Sequence, residues 1–389
     1  MEGDVLFSEC NCFRSASSMS RRGVLCAGGA GFVSALIGTL VGASRTARAQ
    51  VLGVRPPEVD WLAVRMVTDN TVVQFVPSEK RGNLAIERRS SGNQVPDAPP
   101  RTALTGEWGL AMHAESRRGN QTRNVLIDFG YTPEALLTNM SILKIDPSTF
   151  DALVLSHGHF DHFGGMVGFL RANKGKLKKA LPLFVGGEDC FCTRTAGNGG
   201  QFGSLDRKAI ADADLSLMMA EGPAIVADHA FTTGKIPQVS AEKPLQNTRE
   251  MVGVVDGFGC FPDKMPPAKN TGSYIPDDFE HEIATNFVVK GRGLVVLTSC
   301  SHRGVINTVR QAQAASGVQK VHAVIGGFHI VPPLDDAYIR RILADFKDMN
   351  PDYLMLGHCS GDRFYDLARD ALGDKVIHSA VGTRFVFEA

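Results

Sequence analysis

Four candidate metal ligands fall within six residues of this chain, and that spacing constrains its fold more than any other feature. They are His157, His159, Asp161 and His162 of the segment Ser156-His157-Gly158-His159-Phe160-Asp161-His162-Phe163-Gly164-Gly165. The apolar run Leu153–Leu155 predicts a strand directly before them, and Met166, Phe169 and Leu170 predict a helix over Gly164–Asn173. In extended backbone, residues two apart face the same side, so His157 and His159 can meet one cation. The chain then turns, which lets Asp161 and His162 reach a second cation beside the first. Imidazole nitrogen together with carboxylate oxygen suits zinc or iron better than magnesium or calcium. Gly158, Gly164 and Gly165 remove side-chain bulk where the backbone must bend tightly. A purely structural role would have to gather three imidazoles and a carboxylate by accident.

Three further histidines stand at the same kind of place, just past an apolar run. His302 follows Leu294–Leu297, His329 follows Val321–Ile325, and His358 follows Tyr353–Leu356. Any one alone reads as a hydrogen-bonded loop histidine; beside the first cluster they read as ligands. His113, His229, His281 and His378 lack that context and read as structural or surface residues. Leu62–Val67 and Asn124–Ile127 are two more strand candidates, and Val305–Ala314, Asp335–Met349 and Asp362–Leu372 have helical spacing. Strand, loop, helix is the repeating unit. In α/β layers of this kind, sites sit on the loops after the strands.

Between residues 190 and 280 that unit breaks down. Gly197-Asn198-Gly199-Gly200, Pro262 to Pro267 and Asn270 to Gly272 punctuate the stretch, which reads as a long lid-like insertion or binding wall. The length of 389 residues suggests two or three domains. The 41 basic residues balance 41 acidic ones, so nothing in the charge points to a nucleic-acid partner.

The first 49 residues differ from the rest. Ser20-Arg21-Arg22-Gly23-Val24-Leu25 opens a Gly/Ala-rich apolar run to about Ala43, and Ala47-Arg48-Ala49 offers a cleavage site. The paired arginines resemble a twin-arginine export signal, an address read by the export machinery and not an anchor. An uncleaved membrane helix is disfavoured by Gly23, Gly28, Gly29, Gly31, Gly38 and Gly42. The expectation is therefore a periplasmic or secreted protein without stable membrane insertion. Residues 50–389 then carry 36 basic against 38 acidic residues, and their cysteines are Cys190, Cys192, Cys260, Cys300 and Cys359. In an oxidising compartment one pair is possible and at least one thiol is left over.

The segment His157-Gly158-His159-Phe160-Asp161-His162 after a strand resembles the signature of the metallo-β-lactamase superfamily. Thr68-Asp69-Asn70-Thr71, Val125–Gly130, Thr233–Pro237, Cys300–Asn307, Ala323–His329 and His358–Gly361 resemble one branch of it, named for a 7,8-dihydropterin-6-yl-methyl-4-(β-D-ribofuranosyl)aminobenzene 5′-phosphate synthase. The resemblance runs from about Val64 to Phe387 and implies one α/β (α+β) domain over residues 50–389, a four-layered αββα sandwich. It implies that His157, His159 and His302 hold a first metal, and Asp161, His162 and His358 a second. Asp128 resembles the family's buried aspartate that orients the ligand loops from behind.

Two departures stand out. His329 occupies the place of an acidic residue able to bridge both metals, and a neutral imidazole offers only one lone pair outward. His329 therefore binds one metal or stands behind the ligands, and the site holds one or two divalent ions, zinc first, with iron or manganese as alternatives. Trp108 stands where this branch carries His, which alters contacts to the substrate.

The expected activity is hydrolysis of a small-molecule ester, phosphoester, lactone or amide by a metal-bound hydroxide, with Asp161 aligning it and accepting its proton. Synthesis of a pterin cofactor is cytoplasmic work, against which the export signal argues. Two alternatives remain at this level: an iron-dependent oxygenase or oxidoreductase on the same fold, and a non-catalytic periplasmic protein that binds a metal or ligand.

Overall fold

The computed structural model describes residues 54–89, 102–245 and 247–389. The export segment read at residues 1–49 lies outside them. Among the described residues no helix is long and apolar enough to cross a membrane.

Alternation along the strands builds two faces, and each sheet uses both. Ala152 and Val154 point into one apolar cluster while Leu153 points into another. Val295 and Leu297 likewise face one way and Leu294 and Val296 the other. The shared cluster, which joins Val64, Met112, Ile127 and Val154 to Phe287, Leu297, Ile325 and Met355, is the interface between two sheets packed face to face. The first sheet runs Ser216–Met219, Pro182–Val185, Ala152–Val154, Gln121–Ile127, Ala111–Arg118, Trp61–Thr68, Arg384–Glu388, Leu84–Glu87, Glu79–Arg81. The second runs Ile225–Val226, Ala230–Thr232, Thr285–Val289, Gly293–Thr298, Val321–Gly326, Tyr353–Leu356, Val376–His378, with Glu58–Val59 parallel to Thr285–Val289.

Helices close the outer faces. Pro133–Leu143 and Met166–Ala172 lie on the first sheet, burying Leu136, Met140, Phe169 and Leu170 against Leu126 and Leu153. Val305–Ser316, Asp336–Met349 and Asp362–Leu372 cover the second. Ile339, Ile342, Leu343 and Phe346 make the buried stripe of the middle one, at the spacing of one helix face. Each such side chain contributes roughly 1.5–3 kcal/mol on burial. The result is the expected four-layered αββα sandwich, with strand and helix positions within a few residues of those read from periodicity.

The stretch from 190 to 280 departs from expectation, because it is not structureless. Ser216–Met219 joins the first sheet, and Ile225–Val226 and Ala230–Thr232 join the second. Gln201–Gly203, Thr193–Ala196, Thr248–Met251 and Ile275–Pro276 form a separate small sheet. Strands of two to four residues are too short to register as an alternating pattern. A disulfide between Cys192 and Cys260 staples this segment, leaving Cys190, Cys300 and Cys359 free and buried.

Parallel pairing places the loops after Gln121–Ile127 and Ala152–Val154 at one end of the first sheet. The loops after Gly293–Thr298, Val321–Gly326 and Tyr353–Leu356 share one end of the second. Ile283 N donates to Ser156 O at 2.9 Å, joining the two ends. Every candidate ligand sits on these loops.

Candidate metal centre

After the strand Ala152–Val154 the chain stays extended through His159 and then makes a short helix, Phe160–Phe163, so Asp161 and His162 enter from its first turns. Gly164 and Gly165 do not supply an unusual bend: their φ angles are −57° and −75°. They supply closeness. A Cβ there would lie 2.2 Å from Tyr131 O and 2.2 Å from Phe129 O, respectively.

The structure brings the expected residues to one place. Asp161 Oδ2 lies 3.6 Å from His162 Nε2 and 3.4 Å from His358 Nε2. The His157 ring lies 4.8 Å from His159, 4.9 Å from His302 and 4.2 Å from His162 between centroids. His329 stands 4.2 Å from His302. Two placements differ from the expected grouping. His159 Nε2 points toward Asp277, 3.8 Å from its Oδ2. His329 groups with Cys300 and Cys359, whose donor atoms all fall within 4.8 Å of one another.

Buried nitrogens without partners mark the centre. His157 Nε2, His159 Nε2 and both ring nitrogens of His302, His329 and His358 are buried and make no hydrogen bond. An orphaned buried polar atom costs about 1–3 kcal/mol, so a cluster of them is retained for a ligand. Burial holds His157 and His302 well below the ordinary histidine range, and their mutual proximity adds to this, so both are neutral and free to donate lone pairs. For Asp161 burial works in the opposite sense, but His162 and His358 outweigh it and hold the carboxyl below its usual range. Asp161 and Asp128 in turn overcome burial at His162 and raise it to about 9. The neutral imidazoles of His157 and His302, with the Asp161 carboxylate near them, fit divalent cations of the zinc type.

The supports come from both sheets. Asp128 accepts from Ser156 N at 2.7 Å, from Ser156 Oγ and His162 Nδ1 at 2.8 Å each, and from Ser299 Oγ across the sheet interface. Ser156 Oγ also meets His157 Nδ1 at 2.9 Å. The bonds to His162 and His157 occupy Nδ1 and leave Nε2 for the centre. Asp128, Ser301, His329 and His358 all have φ between 47° and 61°. Side chains rarely adopt that left-handed backbone, and its clustering here shows that the surrounding bonds hold these loops against strain.

Several residues that matter were not singled out in the sequence. Glu282 accepts from His302 N at 2.8 Å and Arg303 N at 2.7 Å, fixing that loop. Asp69 accepts from His358 N at 2.9 Å, which gives the Thr68-Asp69-Asn70-Thr71 motif its task. His281 is no surface residue. It lies fully buried, with Nδ1 3.0 Å from Arg194 Nη2. Arg194 also reaches Asp277, Glu250 and Asp189, so a buried ion network backs His159. The signal available was an isolated Arg among apolar and small residues, which periodicity does not single out. Of the other uncommitted histidines, His113 meets Asn124 Oδ1 at 3.0 Å and His229 meets Ser116 Oγ at 2.9 Å.

A cavity of about 550 Å³ opens over the centre. His159, Asp161, Cys300, His302, His329 and Cys359 form one side of it. Trp108, Tyr131, Phe160 and Phe202 supply aromatic walls, and Asn198, Gln201 and Asn247 supply amides. The small sheet of the 190–280 segment thus forms one wall of this cavity. Trp108 packs on His358 with ring centroids 5.2 Å apart.

Residues 118–180 match the family model of the metallo-beta-lactamase superfamily, a stretch that contains the His157–His162 segment. A 7,8-dihydropterin-6-methyl-4-(beta-D-ribofuranosyl)-aminobenzene-5′-phosphate synthase of Methanocaldococcus jannaschii is 27% identical over 264 residues, 66% of this chain and 81% of the relative. An uncharacterised protein of the same organism is 27% identical over 245 residues, 61% of this chain and 80% of its own length. A solved metal-dependent hydrolase of the beta-lactamase superfamily superposes with a TM-score of 0.59 at 18% identity, covering 83% of this chain and 98% of that one. Sandwich, signature and matches agree: the chain has the metallo-β-lactamase fold, and its residues 118–180 match the model of that superfamily.

Proposed function

We propose that the protein is an exported metal-dependent hydrolase that cleaves an ester, lactone or amide with a neutral, partly aromatic body, phosphoesters being the adjoining case. The observation that carries this reading is the convergence of unpartnered imidazole nitrogens with Asp161 beneath an aromatic-walled cavity. His157, His159 and His302 would hold one cation and Asp161, His162 and His358 a second. Cations bound there supply Lewis acidity, which acidifies water and polarises the oxygen of the bond to be cleaved.

The chain's own residues do the rest. The Asp161 carboxylate faces the cavity, 16% exposed, where it aligns an attacking water and accepts its proton. Trp108, Tyr131, Phe160 and Phe202 exclude solvent and take the apolar body of the substrate. Asn198, Gln201 and Asn247 offer hydrogen bonds to its polar groups. Among the described residues no Lys or Arg lines this cavity, which disfavours a substrate held by a separate phosphate group. The synthase relative is named for a 5′-phosphate, and its activity is therefore not the preferred reading here.

Export rests on the Arg21-Arg22 segment and gains support from the Cys192–Cys260 disulfide, which suits an oxidising compartment. Fractionation of the native host should find the protein outside the cytoplasm, and retention there in a strain lacking twin-arginine translocation. Metal content of that native protein, followed by a hydrolase panel on zinc, manganese and iron forms, tests the activity. Turnover of a neutral ester, lactone or amide by the zinc form is expected. Stoichiometric iron would favour an oxidoreductase, and silence in every form a binding protein.

A further inference from the structure

Among the described residues, Cys300 is the one side chain common to three separate groups of possible metal donors. With Asp161, His162 and His358 it forms one, with His157 and His302 a second, and with His329 and Cys359 a third. Within each group all donor atoms lie inside 4.8 Å of one another. The first two groups carry five of the six ligands assigned above to the two cation positions, so the sulfur stands between those positions. Its Sγ lies 3.2 Å from His162 Nε2, and the residue is 2% exposed.

The loop that carries it is fixed on both sides. Ser299 Oγ donates to Asp128, and Ser301 Oγ donates to Gly327 O at 3.1 Å. Glu282 holds His302 N. The independent sign of a ligand comes from the surroundings: His157, His302, His329 and His358 carry buried nitrogens without hydrogen-bond partners, and each of these residues falls in a donor group with Cys300.

Charge gives the reason. Two divalent cations bring four positive charges into a buried site, where unbalanced charge is costly. An imidazole that binds a metal does so as an uncharged ligand, which leaves Asp161 as the sole anion among the six. His329, at the place of a bridging carboxylate, has a single outward lone pair and cannot join two ions. A thiolate has several lone pairs and can.

We propose that the Cys300 thiolate is a ligand shared by the two cations and replaces the bridging carboxylate of the fold. This rests on the metal-centre reading above. On metal binding the thiol proton passes to solvent and sulfur lone pairs form the bonds to the cations, with no change of oxidation state. A soft sulfur donor also biases the centre toward zinc and away from manganese.

Reconstituting the metal-free full chain with cobalt(II) tests this without reference to turnover. Wild-type protein should bind two equivalents and show a sulfur-to-cobalt charge-transfer band in the near ultraviolet. Cys300→Ser should lose the band and weaken the second equivalent by at least the roughly 10-fold that loss of an outer partner already costs. Cys359→Ser should keep the band. With cadmium-113, both resonances should carry the shift of a sulfur ligand if the thiolate is shared, whereas a shift in one alone would overturn the bridge. Two bound cobalt ions without the band, or a band that survives in Cys300→Ser, would overturn the proposal while leaving the metal centre intact. No cobalt binding at all would overturn the metal-centre reading itself.

Discussion

Asp128 and His162 are joined by a 2.8 Å hydrogen bond from Nδ1–H to the carboxylate, buried where the two sheets meet. With the carboxylate as acceptor, Nδ1 carries the proton and Nε2 keeps its lone pair for the centre. The same carboxylate takes Ser156 from its own sheet and Ser299 from the other, so one side chain sets the position of two ligand loops. Asp128→Ala should weaken zinc binding about 10- to 100-fold, measured by competition with a chromophoric chelator. Unchanged affinity would remove Asp128 from any role in orienting the ligands.

Among the described residues, Asp161 is the only carboxylate that both faces the cavity and touches His162 and His358. Asp161→Ala should lower kcat on any identified substrate by about 10²-fold or more, as loss of a positioned base does. Circular dichroism should show the fold intact. Full activity in this variant would refute the assignment.

Arg194 is a fully buried cation held by Asp277 Oδ2 at 2.6 Å, Asp189 Oδ1 at 2.9 Å and Glu250 Oε2 at 3.1 Å. Lys269 still pairs with Asp189 and Glu250, but replacing Arg194 leaves the buried Asp277 carboxylate without its guanidinium partner. Arg194→Met should cost about 3–5 kcal/mol in urea unfolding. A loss below about 1 kcal/mol would mean that the network relaxes without it.

Glu242 accepts the N–H groups of Ile306 and Asn307 at the start of the helix Val305–Ser316. Burial raises its pKa from 4.5 to about 7, beyond what those hydrogen bonds and Ser240 restore. The folded protein therefore holds a proton that the unfolded chain releases. Stability from this group is full below about pH 4.5 and is lost as pH rises toward 7, by about 3 kcal/mol. Glu242→Gln should flatten that decline, so that the variant gains on wild type between pH 5 and 8 in parallel denaturation series. Parallel curves for the two proteins would contradict it.

The Cys192–Cys260 bond closes a separation of 68 residues around the cavity wall. Reduction should lower stability by roughly 2–4 kcal/mol in thermal or urea unfolding. It should also loosen the wall that carries Asn198, Gln201 and Phe202, read as faster hydrogen exchange there than in the two main sheets.

Much of this was legible along the chain because it depends on near neighbours. The strand Tyr353–Leu356 and the helix Asp362–Leu372 follow from periodicity alone, and the His157–His162 spacing follows from extended backbone running into a helical turn. The stretch from 190 to 280 was not legible in that way. Its strands are short, and partners such as Thr193–Ala196 and Thr248–Met251 are far apart in sequence.

The sequence by itself determined which donors exist and that they fall on loops after strands, since both are matters of composition and local spacing. Tertiary structure decided which of them meet. Asp128 reaches Ser299 across 171 positions, Cys300 reaches His162 across 138, and Arg194 finds Asp277 across 83. Such meetings arise from the packing of two sheets and are not encoded in any repeat of 2 or 3.6 residues. That is why Cys300 is only one of five cysteines in the sequence of residues 50–389, yet lies 3.2 Å from His162 Nε2 in the fold.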